Sequence, residues 1–209
     1  MIKPILIFDF DGTIADTLHH FIAISNRLAK IFHYKVIEKD EIEHLKDMSS
    51  IEIIRHLQIP IYKIPAIVAR AKRELHRDIS SVHPIAGLEP VLKQLRDSDV
   101  TLGILSSNSN DNIMKFLKNH GLDFFHFIFP ASKIWNKNIS LKIIIEKNGF
   151  DKKHVIYIGD EIRDIVAARK LGIKIASVGW GYNSIASLQK HRPDFLIKDP
   201  VDLFKLYPR

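Results

Sequence analysis

The sequence predicts an α/β fold: a parallel β-sheet with helices on both faces, plus an inserted all-helical segment. Three observations carry that expectation. Residues 4–8 (PILIF), 100–105 (VTLGIL), 154–159 (HVIYIG) and 173–178 (IKIASV) are almost continuously apolar, the pattern of strands buried on both faces. Single helix-like stretches separate the later ones, which implies right-handed crossovers between parallel strands. Residues 18–82, in contrast, hold several helical patterns and no convincing strand.

Residues 4–8 form the first expected strand. The N-terminal MIKPILIFDF is too short in apolar residues for a membrane span and lacks the small-residue cleavage site of a leader. Phe21, Ile24, Leu28 and Ile31 then mark one face of a helix, residues 51–57 a second helix, and residues 65–79 a third that opens on Pro65. After the second strand, residues 111–121, 140–149 and 161–172 each show helical apolar spacing and a glycine stop. The arrangement is Rossmann-like. We expect a core of residues 1–14 and 84–209, and a helical cap of residues 15–83 lying over the strand ends, with hinges at 14–17 and 83–87, where HPIAG supplies proline and glycine.

The 209 residues, 46% hydrophobic, suffice for a substantial core. The absence of cysteine excludes disulfides and thiolate metal sites, and a soluble, cytoplasmic protein is expected. With 31 Lys+Arg against 24 Asp+Glu the formal net charge is +7, which suits an anionic partner. The basic residues are dispersed among acids with no nucleic-acid motif, so a small phosphorylated metabolite is the expected partner rather than nucleic acid or membrane. Oligomeric state is left open.

In an open parallel sheet, reactive groups belong at the carboxyl ends of the strands. The first strand ends in DFDGT. Side chains two apart on a strand point the same way, so Asp9 and Asp11 both face the crevice while Phe10 points away and Gly12 makes the turn. Two carboxylates share such a site only if one is protonated or a cation neutralises them, and a hard divalent ion such as Mg2+ is the natural solution. A D-x-D-G-T pattern arises by chance in a chain of this length about once in a thousand.

The second strand ends in SSNSN. Ser106 presents a hydroxyl, and the N–H groups of Ser107 and Asn108 are placed to meet an anion ahead of the next helix; simple helix capping is the alternative. Lys137, just before an expected helix start, could add its charge there, with Lys133 as the competing choice. The third strand ends in GDEIRD. Asp160 is placed as a metal ligand opposite Asp9, while Glu161 and Asp164 serve either the same ion or the helix dipole.

DFDGT (9–13), ILSSN (104–108), Lys137 in NKNISL and GDEIRD (159–164) together resemble the haloacid dehalogenase (HAD) superfamily, in its phosphoglycolate-phosphatase-like group with a helical cap after the first motif. The resemblance implies a Mg2+-dependent phosphomonoester hydrolase. Asp9 would be the nucleophile that forms an aspartyl-phosphate, and Asp11 the general acid and then general base. Mg2+ would be held by Asp9, the main-chain carbonyl of Asp11 and Asp160, with Asp164 or Glu161 acting through water or behind these ligands. Ser106 and Lys137 would grip the phosphoryl oxygens. Dehalogenating members lack an acid two residues after the nucleophile, so Asp11 argues for phosphate chemistry. A sugar phosphomutase and a non-catalytic regulatory protein of the same fold are the alternatives; the latter is expected to have lost Asp9, Asp11 or Asp160.

Four smaller features complete the reading. His19 and His20, at the start of the cap, are expected to be solvated. Trp180 and Tyr182 in GWGYNS are expected to pack between core and cap. Asp16 and Thr17 either touch the leaving group or cap the first cap helix. Asn136 stands where relatives commonly have glycine before the motif lysine, and the cap carries no legible substrate signature.

Overall fold

The apolar runs are strands because residues on either side of each pleat meet a separate helical layer. The computed structural model describes residues 3–131 and 137–206. In chain order the elements are β1 (Ile5–Phe8), α1 (Leu18–Phe32), α2 (Ile42–Lys46), α3 (Ser50–His56), α4 (Ile64–Asp78), α5 (Leu88–Arg96), β2 (Thr101–Ser106), α6 (Asn110–Asn119), β3 (Phe127–Pro130), α7 (Lys137–Lys147), β4 (Val155–Gly159), α8 (Ile162–Leu171), β5 (Lys174–Val178), α9 (Ile185–Lys190) and β6 (Phe195–Ile197). The six strands form one sheet in the order β3-β2-β1-β4-β5-β6, and every pairing is parallel.

Leu6 and Phe8 pack with the buried faces of α5 and α6 and with Leu203 and Leu206 of the C-terminal 3-10 turn. Ile5 and Ile7 pack with Leu141, Ile144 and Ile145 of α7, Ile165 and Ala168 of α8 and Leu188 of α9. All four residues of β1 are buried, so no polar residue could alternate there. The helical insertion continues the first of these cores through Ile24, Leu28, Leu57, Leu75 and Ile79.

Two connectors join insertion to sheet, and they bond to one another. Asp16 N–H donates to the His83 carbonyl and Ile85 N–H to the Ile14 carbonyl, both at 2.9 Å, which makes a short antiparallel bridge at Ala15 and Pro84. A second link runs from residues 183–187 to residues 46–48. Asn183 Nδ2 donates to the carbonyls of Lys46 and Met48, at 2.9 and 2.8 Å, and Ser187 Oγ donates to the Asp47 carbonyl at 3.0 Å.

Several elements were not expected from the sequence. β3 and β6 are edge strands of four and three residues. Half-buried, with the aromatic pair Phe127 and Phe129 in one of them, they carry neither a long apolar run nor a clean alternation. α5 follows the 83–87 connector directly, with Pro90 tolerated in its first turn. α2 and α9 have five and six residues, too few to show a helical period. α7 starts at Lys137, three residues before the expected start at 140, so that lysine belongs to the helix itself. Lys133, the competing lysine, and Asn136 lie outside the described residues.

Phe116 of α6 is fully buried, its ring edge-on to Phe10 with centroids 5.1 Å apart, and this contact holds Phe10 away from the crevice. Phe116→Ala should lower the unfolding free energy by about 3–5 kcal/mol. The urea midpoint reads this, with Ile143→Ala, at a 43% exposed position, as the control expected to stay within about 0.5 kcal/mol of wild type.

Candidate active site

From β1 the crossovers run one way to β2 and β3 and the other way to β4, β5 and β6, so the carboxyl ends of β1 and β4 flank the topological switch point, where open α/β sheets form their crevice. Asp9 and Asp11 follow β1 and Asp160 follows β4. Gly12 sits at φ +75°, and a Cβ there would overlap the Asp160 carboxylate and the Tyr182 ring. Only glycine allows both the turn and that close approach.

The carboxylates of Asp9, Asp160 and Asp164 converge, each offering an oxygen within 4.8 Å of the others. Lys137 Nζ donates to Asp9 Oδ2 and, at 2.6 Å, to Asp164 Oδ1; all three side chains are almost completely buried. Asp9 Oδ1 accepts the Phe10 N–H at 2.8 Å. Asp160 accepts from the Thr13 hydroxyl and from the Tyr182 N–H, both at 2.7 Å. Asp164 Oδ2 accepts the Glu161 N–H at 3.1 Å in a capping box that opens α8.

Asp11 stands apart from that group. Its carboxylate is held by Asn108 Nδ2, at 3.0 and 3.2 Å from its two oxygens, and by the Ser106 hydroxyl at 3.5 Å. Asn108 is fixed in turn, its Oδ1 accepting from Ser109 N at 2.8 Å and Asn112 Nδ2 at 2.9 Å. Asn108 N–H donates to Ser106 Oγ at 3.0 Å. Beyond the sequence expectation, the asparagine reaches Asp11 through its side chain while its N–H meets the serine. Ser107 lies beside Asp11 in the wall of the adjoining cavity.

Glu161 turns toward Arg163, whose Nε donates to its Oε1 at 2.8 Å, and accepts from Ser50 Oγ of the insertion at 3.2 Å. Thr17 opens α1, but its side chain makes no capping hydrogen bond; its hydroxyl meets the Tyr182 hydroxyl at 2.8 Å. Capping is thus not its role, and Asp16 is exposed. Tyr182 packs edge-on against Phe21 of α1 and so bridges core and insertion as expected, whereas Trp180 Nε1 donates to the Thr13 carbonyl within the core. His19 is exposed as expected, whereas His20 is half-buried, its Nε2 3.3 Å from Ser81 Oγ.

Burial and crowding of like charge shape the titration. Burial, then Asp9, pushes the Asp11 carboxyl up to about 7, against the Asn108 hydrogen bond. Asp9 rises to about 6, burial outweighing the Lys137 charge. Burial and the neighbouring Glu161, Asp9 and Asp164 carry Asp160 well above the carboxylate range. Burial alone would lower Lys137, but Asp164 and Asp9 outweigh it and hold the ammonium charged. The three converging groups offer only hard carboxylate oxygens, and among the described residues five acids (Asp9, Asp11, Asp160, Glu161 and Asp164) face two cations, Lys137 and Arg163. That donor set and that excess of negative charge fit a hard divalent cation.

Thr13, Arg163, Ser50 and Asn183 escaped the sequence reading. Thr13 and Arg163 lay inside the quoted motifs, where acids drew attention; Ser50 and Asn183 act across the insertion boundary, which no local spacing reveals.

The profile of the haloacid dehalogenase-like hydrolases matches residues 6–178. The chain belongs to that family. It is 35% identical over 201 residues to a phosphoglycolate phosphatase of Synechococcus elongatus, covering 96% of this chain and 95% of the relative. It is 26% identical to the pyrophosphatase PpaX of Bacillus pumilus, covering 96% and 94%. A structure described as a predicted phosphatase from Clostridium acetobutylicum superposes with a TM-score of 0.83 over 98% of each chain at 18% identity, which shows the same fold.

A carboxyl whose folded value lies above its usual 3.8 keeps a proton that the unfolded chain has released. Its contribution to stability is full below about pH 4 and is lost as pH rises through about 7. Asp11→Asn, which cannot ionise, should therefore gain in Tm over wild type between pH 4 and 7, with no further gain above pH 8. A Tm difference that is constant across that range contradicts the assignment.

Proposed function

We propose that this hydrolase cleaves phosphate monoesters of small metabolites through an aspartyl-phosphate on Asp9. The observation that carries the proposal is the unequal treatment of two carboxyls two residues apart: Lys137 donates to Asp9, whereas Asp11 is pushed up to about 7 beside Asn108. Burial raises both carboxyls, Asp9 to about 6, but the Lys137 ammonium beside Asp9 favours its ionised form, whereas Asp11 faces the neutral Asn108 amide and the cavity; these surroundings suit Asp9 as nucleophile and Asp11 as acid. The resemblance of the whole chain to a phosphoglycolate phosphatase supports the same reading.

In the forward step a carboxylate oxygen of Asp9 attacks phosphorus in line, the bond from phosphorus to the leaving oxygen breaks, and Asp11 gives that oxygen its proton. In the second step Asp11, now a carboxylate, takes a proton from water as the water oxygen attacks phosphorus. The bond to Asp9 then breaks, and inorganic phosphate and the free carboxylate result. Lys137 holds one side of the transferring group, and Ser106, whose hydroxyl reaches toward Asp11, is placed to donate to another oxygen. Asp9, Asp160, the main-chain carbonyl of Asp11 and Asp164 would hold Mg2+, which when bound neutralises these acids and draws charge from the phosphoryl group. Asn108 positions Asp11 and does not react.

In this proposal residues 15–83 are the cap, which excludes water from the intermediate's surroundings. The links from Asn183 and Ser187 to residues 46–48 and from Ser50 to Glu161 support a closed arrangement, as does the paired connector at Ala15 and Pro84.

Activity should require a divalent cation and disappear on chelation. Asp9→Asn should lower kcat by at least about a thousandfold on every ester, because the nucleophile is gone. Asp11→Asn should cost about 10²–10⁴-fold with an alkyl leaving group and far less with p-nitrophenyl phosphate, whose leaving group needs no proton. Steady-state kinetics of the two variants on both esters checks this, and equal losses on the two contradict the acid role of Asp11.

A further inference from the structure

A cavity of about 320 Å3 opens from Asp11 into the helical insertion. On the sheet side its wall holds Asp11, Ser107, Asn108, Glu161, Arg163 and Tyr182; on the insertion side it is almost entirely hydrocarbon, notably Phe21, Ile53, Ile59, Ile64, Ile67 and Val68. These six are half-buried, unlike Leu28 and Leu75 deeper in the same wall, which are fully enclosed. The helices of the insertion thus leave an apolar space that their own side chains do not fill.

We propose that the substrate's leaving group is an apolar alkyl or aryl alcohol that fills this cavity. The inference rests on the phosphomonoesterase reading and adds to it the substrate class. Three observations point the same way. Asp11, the proposed proton donor to the leaving oxygen, is itself part of the cavity wall, so the leaving group extends into that space and not toward Lys137. Several polar groups of the wall are already engaged: Tyr34 Oη donates to the Ser25 carbonyl at 2.8 Å, Ser50 donates to Glu161, and Arg163 is paired with Glu161. One lysine, Lys72, remains on the insertion side of the wall, on the same helix as Ile67 and Val68. A second anionic group, such as the carboxylate of a phosphorylated hydroxy acid, would desolvate against a mostly hydrocarbon wall whose cations are Lys72 and the Glu161-paired Arg163. The volume equals about ten waters at roughly 30 Å3 each, so it fits a leaving group of about ten non-hydrogen atoms.

The test is a series of methyl, butyl and hexyl phosphates beside 2-phosphoglycolate, with the matching methyl-, butyl- and hexylphosphonates as uncleaved ligands. Affinity for the phosphonates by calorimetry should tighten by about twofold to fourfold per methylene, the upper end being full transfer from water. kcat/KM for the esters should climb in parallel, with butyl phosphate ahead of 2-phosphoglycolate. Ile67→Asn should lower the hexyl-to-methyl ratio tenfold or more, and the milder Val68→Thr, nearly the same shape with one added hydroxyl, should lower it severalfold. A flat or falling phosphonate series, or preference for 2-phosphoglycolate over butyl phosphate, overturns the inference while leaving the hydrolase reading intact. If none of the esters, nor p-nitrophenyl phosphate, is cleaved, the hydrolase reading fails. The phosphonate series still decides the character of the cavity in that case.

Discussion

Repulsion among buried carboxylates at the switch point between β1 and β4 is the constraint around which this structure is arranged. Asp9, Asp160 and Asp164 lie within 4.8 Å of one another in a buried site, an arrangement that raises Asp9 and Asp160 toward protonation. The chain opposes it with Lys137, brought in by the first turn of α7 to meet Asp9 and Asp164 together, and with hydrogen bonds from Thr13 and the Tyr182 main chain to Asp160. Each of these donors comes from a different segment. The crossover topology is what makes them neighbours.

The same constraint accounts for details that local propensity does not. Gly12 and Gly181 both lie against Asp160, and a Cβ on either would occupy the space of its carboxylate. Fully buried strands β1 and β4 serve as mounts that cannot shift without breaking two cores at once. Asp11, one step outside the cluster, is governed by the Ser106 and Asn108 loop instead, and this separation gives two acids of one motif different partners. In the proposed mechanism that difference is the division between nucleophile and acid.

Much of this was legible in the sequence, for identifiable reasons. Buried parallel strands such as 155–159 announce themselves because neither face can carry a polar residue, and the acids that follow them stand out against the apolar run. The edge strands β3 and β6 did not, since one exposed side and three or four residues leave too little pattern. In the 106–108 loop the spacing singled out Ser106 and Asn108 but not their link to Asp11: Asn108 donates its N–H to Ser106 and holds Asp11 through its side chain. The cavity above Asp11 was illegible because its isoleucines come from α1, α3, α4 and the turn between the last two, each looking like ordinary core. Only the fold shows that they face a common space.

Fold, charge and cavity converge on one claim, that Asp9 itself takes up the phosphoryl group. Rapid acid quenching during turnover of a 32P-labelled phosphate ester, followed by peptide mapping under conditions that preserve acyl phosphates, tests it directly. The account predicts label on the peptide that contains Asp9 and its loss when inorganic phosphate is released. Turnover with no label on the protein, or with label on a peptide that lacks Asp9, would contradict it.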